Sequence, residues 1–414
     1  MIDSNSINKI LGIKESYELP DRMMELLINN TTELFEKFLK LENDLSYDWF
    51  TDYFQEQHSN RDSLMQDFTP KELTKLIPML EDKYNSVADV CCGTGGLTIS
   101  AWNNNPNAFF YCEELSTRAF PLLLFNLAIR NINAIAVNKD VLKNEVYAIY
   151  KIENRQVIKL ENMPKIESVD VVITNPPYSV KWKYDEKQAD ERFKEYGYPP
   201  TQYADYGFIL HALSLIKENG KVCAILPHGV LFRGGKEAII REKLIKNNRL
   251  ISIVGLPDKL FRNTSIPVCI CVYGYNYKGN VLFIDASEEY IKDGKQNKLT
   301  HDNLEKIATT YKNNINTDKY SHVAKSDEIE RNNYNLNISR YVDKFEKEEV
   351  PDLIEVVQNI SELDVEIHKT EKELIKMMKE LTSSNPKIQA ELKQATKIWE
   401  GSIENNNVQL RLEL

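Results

Sequence analysis

The chain has 414 residues, of which 42% are hydrophobic and 28% charged, and its formal net charge is −10. That length and balance suit a soluble protein of about two to three domains with at least one substantial core. The longest apolar stretches, 119–129 and 251–256, fall short of the roughly 18 to 20 residues that span a bilayer, and Met1-Ile2-Asp3-Ser4-Asn5 lacks the basic and apolar segments of a secretory signal, so a cytoplasmic protein is expected.

From Ile7 to about Asn60, Met23, Leu26, Leu27, Leu34, Phe35, Phe38, Leu39 and Leu41 recur at three- and four-residue steps. This predicts a small helical N-terminal domain over 1–62. From Ser63 to Ile284, strand-like runs alternate with amphipathic stretches: 86–91, 108–112, 134–138, 169–174, 221–226, 250–256 and 268–273. Alternation of this kind predicts a doubly wound α/β sheet. Between Lys181 and Pro200 the chain turns polar and aromatic without a period, as an inserted loop beside a site would.

A polar, Asn- and Lys-rich stretch, 292–316, leads to the C-terminal segment. There Leu353, Ile360, Ile367, Leu374 and Leu381 recur every seventh residue, with Val356, Leu363, Thr370 and Met377 three residues after the first four. The pattern is a coiled-coil stripe, expected over 346–385 and ended by Asn385-Pro386; the tail, 386–414, is only weakly amphipathic. The six cysteines and six histidines show no metal-site spacing, so buried reduced thiols and no catalytic metal are expected.

The run 86–91 leads directly into Cys92-Gly93-Thr94-Gly95-Gly96 before a helix-like segment. Three glycines at a strand-to-helix turn let the backbone approach a ligand closely. The run lacks both GxGxxG and a P-loop lysine, so it suits S-adenosylmethionine, which carries no phosphate, better than a dinucleotide; a tight structural turn is the alternative. Glu113 follows the next strand-like run, 24 residues after Asp89, where a carboxylate can accept from both ribose hydroxyls; Glu114 competes for the role. Asp140, after the third run, is placed to accept from the adenine amine of the cofactor, or is a turn residue.

Asn175-Pro176-Pro177-Tyr178 follows the apolar strand 169–174, at the carboxyl end where open α/β sheets bind ligands. An exocyclic amine is a poor nucleophile because its lone pair is delocalised into the ring. The side-chain carbonyl of Asn175 and the backbone carbonyl of Pro176 can take its two hydrogens and stabilise charge developing on nitrogen. The prolines fix φ, and the Tyr178 ring offers a stacking face for a base flipped out of a duplex. A plain Pro-Pro turn is the bland alternative.

Together these residues resemble the N6-adenine amino-methyltransferases, and more closely the modification (M, HsdM-type) subunits of type I restriction-modification systems. Gln66-Asp67-Phe68-Thr69-Pro70 is similar to the segment that contacts the methionine part of the cofactor, with Gln66, Phe68, Thr69 and Pro70 in that role. Asp89, Cys92, Gly93, Thr94, Gly95, Gly96, Glu113, Asp140 and Asn175 follow in the family's order. Later segments, 204–208, 226–235, 255–257, 265–267 and 335–341, are similar too, and the resemblance covers about 63–381.

The resemblance implies a Rossmann-like S-adenosylmethionine-dependent methyltransferase domain over 63–345 that methylates adenine N6 in double-stranded DNA. It also implies a specificity (S) subunit docked on the C-terminal helix, with a second M copy and a restriction subunit as further partners. Two departures stand out: the N-terminal helical region is short for an M subunit, and no target-recognition domain is evident. A homodimeric coiled coil, or packing onto the chain itself, would equally use the heptad stripe. Methylation of RNA or of a protein glutamine, and a non-catalytic scaffold or decoy for a specificity subunit, are the competing functions.

The net charge of −10 is unusual for a DNA enzyme. Arg233, Lys236, Arg241, Lys243, Lys246 and Arg249 form a local basic excess that is either a phosphate-binding patch or a solvated helix face. Phe232 is a candidate second aromatic wall for the flipped base, and Arg233 and Lys236 are candidate phosphate contacts.

Overall fold

Four short helices open the chain: α1 (Ser4–Leu11), α2 (Leu19–Asn29), α3 (Thr31–Leu41) and α4 (Thr51–Gln57). Asp3 caps α1 by accepting the Ser6 N–H, and Gly12 closes it in the left-handed conformation. The computed structural model describes residues 2–29, 31–57, 69–81, 83–184, 189–261, 265–276, 278–344 and 352–412.

Helix α5 (Lys71–Leu80) leads into β1 (Ser86–Val90), α6 (Gly96–Asn104), β2 (Phe109–Glu114), α7 (Phe120–Ile129) and β3 (Ala134–Asp140). An antiparallel hairpin follows, β4 (Glu145–Glu153) and β5 (Gln156–Leu160), and then β6 (Val169–Thr174), α8 (Glu191–Lys194), α9 (Asp205–Leu215) and β7 (Ile216–Pro227). The rest of the sheet region comprises α10 (Lys236–Lys246), β8 (Leu250–Gly255), β9 (Val268–Gly274) and β10 (Val281–Asp285). After it come the small hairpin β11 (Ile291–Asp293) and β12 (Gln296–Lys298), then α11 (His301–Asn313), β13 (Ser321–Ala324) and α12 (Ser326–Arg331).

Eleven strands form one sheet in the order β13-β10-β8-β9-β7-β6-β1-β2-β3-β4-β5. The centre, β7-β6-β1-β2-β3, is parallel, and β9 runs antiparallel between β7 and β8. Strand order reverses between β1 and β6, so the crevice at their carboxyl ends is the topological switch point.

Alternation within the central strands feeds two cores. Val87, Phe110, Cys112, Ile173 and Cys223 face a layer that includes α1–α3 and α5–α7, whereas Ala88, Tyr111, Val172 and Val222 face α8, α9 and α10. The N-terminal helices therefore share the core of the sheet. Phe35, Phe38 and Phe50 surround Phe125 of α7 with ring centroids 4.6–5.4 Å away, and they belong to one compact unit, Met1–Lys344.

A second unit, Phe345–Leu414, holds α13 (Leu353–Glu380) and α14 (Pro386–Leu412). The heptad stripe lies on α13, where Leu353, Ile360, Leu363, Ile367 and Met377 are exposed. The weakly patterned tail is a full helix, tied back to α13 by the ion pair Lys379–Glu400. Among the described residues no helix is long and apolar enough to cross a membrane.

Candidate cofactor and amine site

Strand β1 is buried on both faces and ends at Val90, after which the backbone takes a left-handed course: Cys91 at φ 63°, Gly93 at 58° and Gly95 at 98°. Glycine supplies two of those positions without a Cβ penalty. At Gly95 a Cβ would also come within 3.0 Å of the Leu123 side chain. Helix α6 starts at Gly96, so the loop lies at the switch point just ahead of a helix N-terminus.

The side chain of Glu114, not that of Glu113, meets this loop. Its Oε2 accepts the Gly93 N–H at 2.7 Å and its Oε1 accepts the Ser116 N–H at 2.6 Å. Consecutive residues of β2 point to opposite faces, and Glu113 lies with Tyr111 against α9. There its carboxylate takes bonds from Tyr111 (2.7 Å), Lys139 (2.6 Å) and His211 (2.6 Å), and the side chain is fully buried. Burial alone would raise the Glu113 carboxyl, but His211 and Lys139 outweigh it and hold the group well below the usual range. The guanidinium of Arg192 can only donate, so at 3.0 Å it makes His211 Nδ1 an acceptor and puts the imidazole proton on Nε2, toward Glu113. The assignment of the ribose acid to Glu113 is thereby corrected: its oxygens serve a structural ion pair.

Asp89, inside β1, is fully buried. Its Oδ2 accepts from the Thr98 hydroxyl at 2.6 Å, while Oδ1 has no hydrogen-bond partner. Burial pushes its carboxyl up to about 7. Between about pH 4 and pH 7 the folded chain therefore holds a proton that the unfolded chain has released, and stability falls as pH rises through that window. Asp89→Asn should remove a stability difference on the order of 3 kcal/mol between pH 5 and pH 8, read from urea-unfolding free energies; an unaltered difference would mean that Asp89 ionises freely in the fold.

Strand β6 is locked to β1 where the Thr174 hydroxyl donates to the Val90 carbonyl at 2.6 Å. The next residue, Asn175, donates from Nδ2 to the Thr69 hydroxyl (2.9 Å) and accepts at Oδ1 from the Tyr178 hydroxyl (2.7 Å). The amide is thus tethered between two hydroxyls, each of which can donate or accept. Thr69 and Pro70 stand just ahead of α5, so a segment about a hundred residues upstream comes to the amide; Gln66 and Phe68 lie outside the described residues. Pro176 is buried, and Pro177 and Tyr178 are half-buried. Past Tyr178 the chain turns left-handed at Ser179, whose N–H donates to Asp205 Oδ1 at 3.0 Å. The other oxygen of Asp205 accepts from Arg233 at 3.0 Å.

Asp205 thus anchors the turn that follows Asn175, a role that residue type alone did not reveal although 204–208 matched a family segment. Asp140 closes β3, accepts the Lys143 N–H at 3.0 Å and keeps 14% of its side chain exposed.

The phosphate role expected of Arg233 is corrected as well. It pairs with Asp205 and Glu237 and lies over the Tyr203 ring, 4.4 Å from its centroid. Lys236 donates to the Tyr184 hydroxyl at 2.7 Å. Arg241 is buried on the carbonyls of Val230, Arg233 and Tyr334, and Lys243 reaches the Glu195 carbonyl. Most of this basic run braces the insertion and α10. Phe232, 48% exposed in the turn between β7 and α10, keeps an open ring at the same edge of the sheet as Asn175.

A glycine loop and an oriented asparagine amide across the β1/β6 switch point define a Rossmann-like methyltransferase. Residues 44–350 match the N-6 DNA Methylase family. The chain is 28% identical to the type I restriction enzyme MjaVII methylase subunit of Methanocaldococcus jannaschii, over 90% of this chain and 67% of that protein. With the MjaVIII methylase subunit of the same organism it shares 33% identity, over 77% of this chain and 56% of the relative. The solved structure of the type I restriction-modification system methyltransferase subunit from Streptococcus thermophilus superimposes with a TM-score of 0.64 at 30% identity, over 75% of this chain and 68% of that one. The chain belongs to the N-6 DNA methylase family, in its type I modification-subunit branch. It spans from about half to two thirds of the length of the first curated relatives.

Proposed function

We propose that the chain methylates the N6 amine of adenine in double-stranded DNA with S-adenosylmethionine as donor, in the cytoplasm, as the modification subunit of a type I restriction-modification complex. The observation that carries this reading is the amide of Asn175, tethered at the end of β6 between the Thr69 and Tyr178 hydroxyls with its carbonyl on the Tyr178 side. When bound, S-adenosylmethionine supplies a methyl group already made electrophilic by its sulfonium. The residues present suit that cofactor: a loop without phosphate-binding lysine, the Glu114 carboxylate for ribose hydroxyls, Asp140 for the adenine amine, and Thr69 and Pro70 for the methionine part. The orphaned Oδ1 of Asp89 shows a buried polar centre directly behind the loop.

Asn175 Oδ1 and the Pro176 carbonyl then take the two amine hydrogens and stabilise positive charge as it grows on N6. Preorganised dipoles suffice. The Tyr178 hydroxyl now occupies Oδ1 and yields that bond to the entering amine, leaving its ring beside the base. Phe232 supplies the opposite wall.

Site choice belongs to a specificity subunit docked on the apolar stripe of α13. The net charge of −10 and the internal use of the basic run both support a partner that provides DNA affinity. Full-length protein, purified from its own cells with the chains that accompany it, should pass label from S-adenosylmethionine to adenine in duplex DNA. Label confined to RNA or to protein glutamine would overturn the assignment.

A further inference from the structure

We infer that Asp48, in the segment between α3 and α4, is a positioning residue for the glycine loop. Its Oδ2 accepts from the Thr94 hydroxyl and from Thr51 Oγ1, and its Oδ1 accepts from the Phe50 N–H (3.0 Å) and from Asn126 Nδ2 (2.7 Å). Asn126 donates as well to the Thr94 carbonyl at 2.8 Å. Arg130, one turn along α7, holds the Asn126 Oδ1 (2.8 Å) and the carbonyls of Leu45 (2.8 Å) and Tyr47 (2.6 Å).

Thr94 is thus gripped at its hydroxyl and at its carbonyl, by groups outside the loop, while it stands between two left-handed glycines. Glycines on either side leave a loop free to take many conformations, and fixing the residue between them removes most of that freedom before a ligand arrives. The loop backbone is preorganised by a carboxylate some 46 residues upstream. The N-terminal helical segment therefore reaches the cofactor side of the site, and Asp48 is the contact through which it does so. This inference rests on the reading of the loop as the cofactor cradle.

A merely structural Asp48 would only balance the buried Arg130 guanidinium, and its replacement would lower stability without a link to Thr94. The two roles separate in a double-mutant cycle of Asp48→Asn and Thr94→Val in the full chain. We expect each single variant to weaken S-adenosylmethionine binding about tenfold by calorimetry, and the double variant to be no weaker than the worse single. The loss should fall on KM for the cofactor more than on kcat, Thr94→Ser should restore affinity, and amide exchange at 93–96 should rise in both single variants. Near-UV circular dichroism reports whether each variant keeps the native fold. Natively folded Thr94→Val with wild-type affinity and wild-type exchange would overturn the assignment, as would losses that multiply in the double variant. Should wild-type protein fail to bind S-adenosylmethionine, the proposed function falls, and the exchange of the loop amides alone decides the role of Asp48.

Discussion

Replacing Asn175 by alanine should slow methyl transfer about 10²- to 10³-fold, the cost of removing one preorganised group from a site of developing charge. Affinity for S-adenosylmethionine should stay within about threefold of wild type, because the glycine loop is held by Glu114 and Asp48 rather than by this amide. Asn175→Asp is the informative companion. It keeps an acceptor toward the amine, and the Thr69 hydroxyl can turn to donate instead of accept, so this variant should retain more activity than alanine. Single-turnover rates at saturating cofactor measure both, and a full rate in the alanine variant would remove the amide from the mechanism.

The second large effect separates two adjacent acids. Glu114→Ala should weaken S-adenosylmethionine binding about 100-fold, through two lost bonds to a charged acceptor and a released Gly93 N–H. Glu113→Gln should instead destabilise the fold by about 3–5 kcal/mol, since it leaves Lys139 buried without its counter-charge. Titration calorimetry and urea unfolding on both variants give the comparison. If affinity followed Glu113 while stability followed Glu114, the faces of β2 would be assigned the wrong way round.

That pair also shows where the sequence stops being informative. Strand β2 is apolar on both faces, Phe110 and Cys112 on one and Tyr111 on the other, so alternation marks a buried strand but does not say which face meets the loop. The seven strand-like runs all became strands, because each is a continuous apolar stretch bounded by turn residues. Strands β4 and β5 escaped notice because their outward positions carry Glu145, Lys151, Glu153 and Lys159, as the edge of a sheet tends to. The stretch 292–316 shows in sequence only a polar, Asn- and Lys-rich composition, yet it contributes to the β11–β12 hairpin and α11, whose Thr300 cap and buried Leu304, Ile307 and Tyr311 are thinly spread among polar residues.

Asn175, the glycine loop and Thr69 were legible because backbone demands and chemistry coincide in a few consecutive residues. Asp48 and Asp205 were not, since a lone aspartate carries no local pattern and acquires its meaning from contacts across the fold. Basic residues misled in the opposite sense: a run of cations along a helix reads as a surface for phosphate until Arg233 and Arg241 are seen to turn inward. The heptad stripe, by contrast, was legible as a helix and remains exposed within the chain.

Mapping of modified bases in the DNA of cells that produce this chain, beside cells that produce its Asn175→Ala variant, tests the central claim most directly. The account predicts N6-methyladenine at a defined sequence in the first and its loss in the second, with the protein present at equal level. Persistence of that methylation in the variant cells, or its absence from both, would contradict the claim that this amide carries adenine methylation.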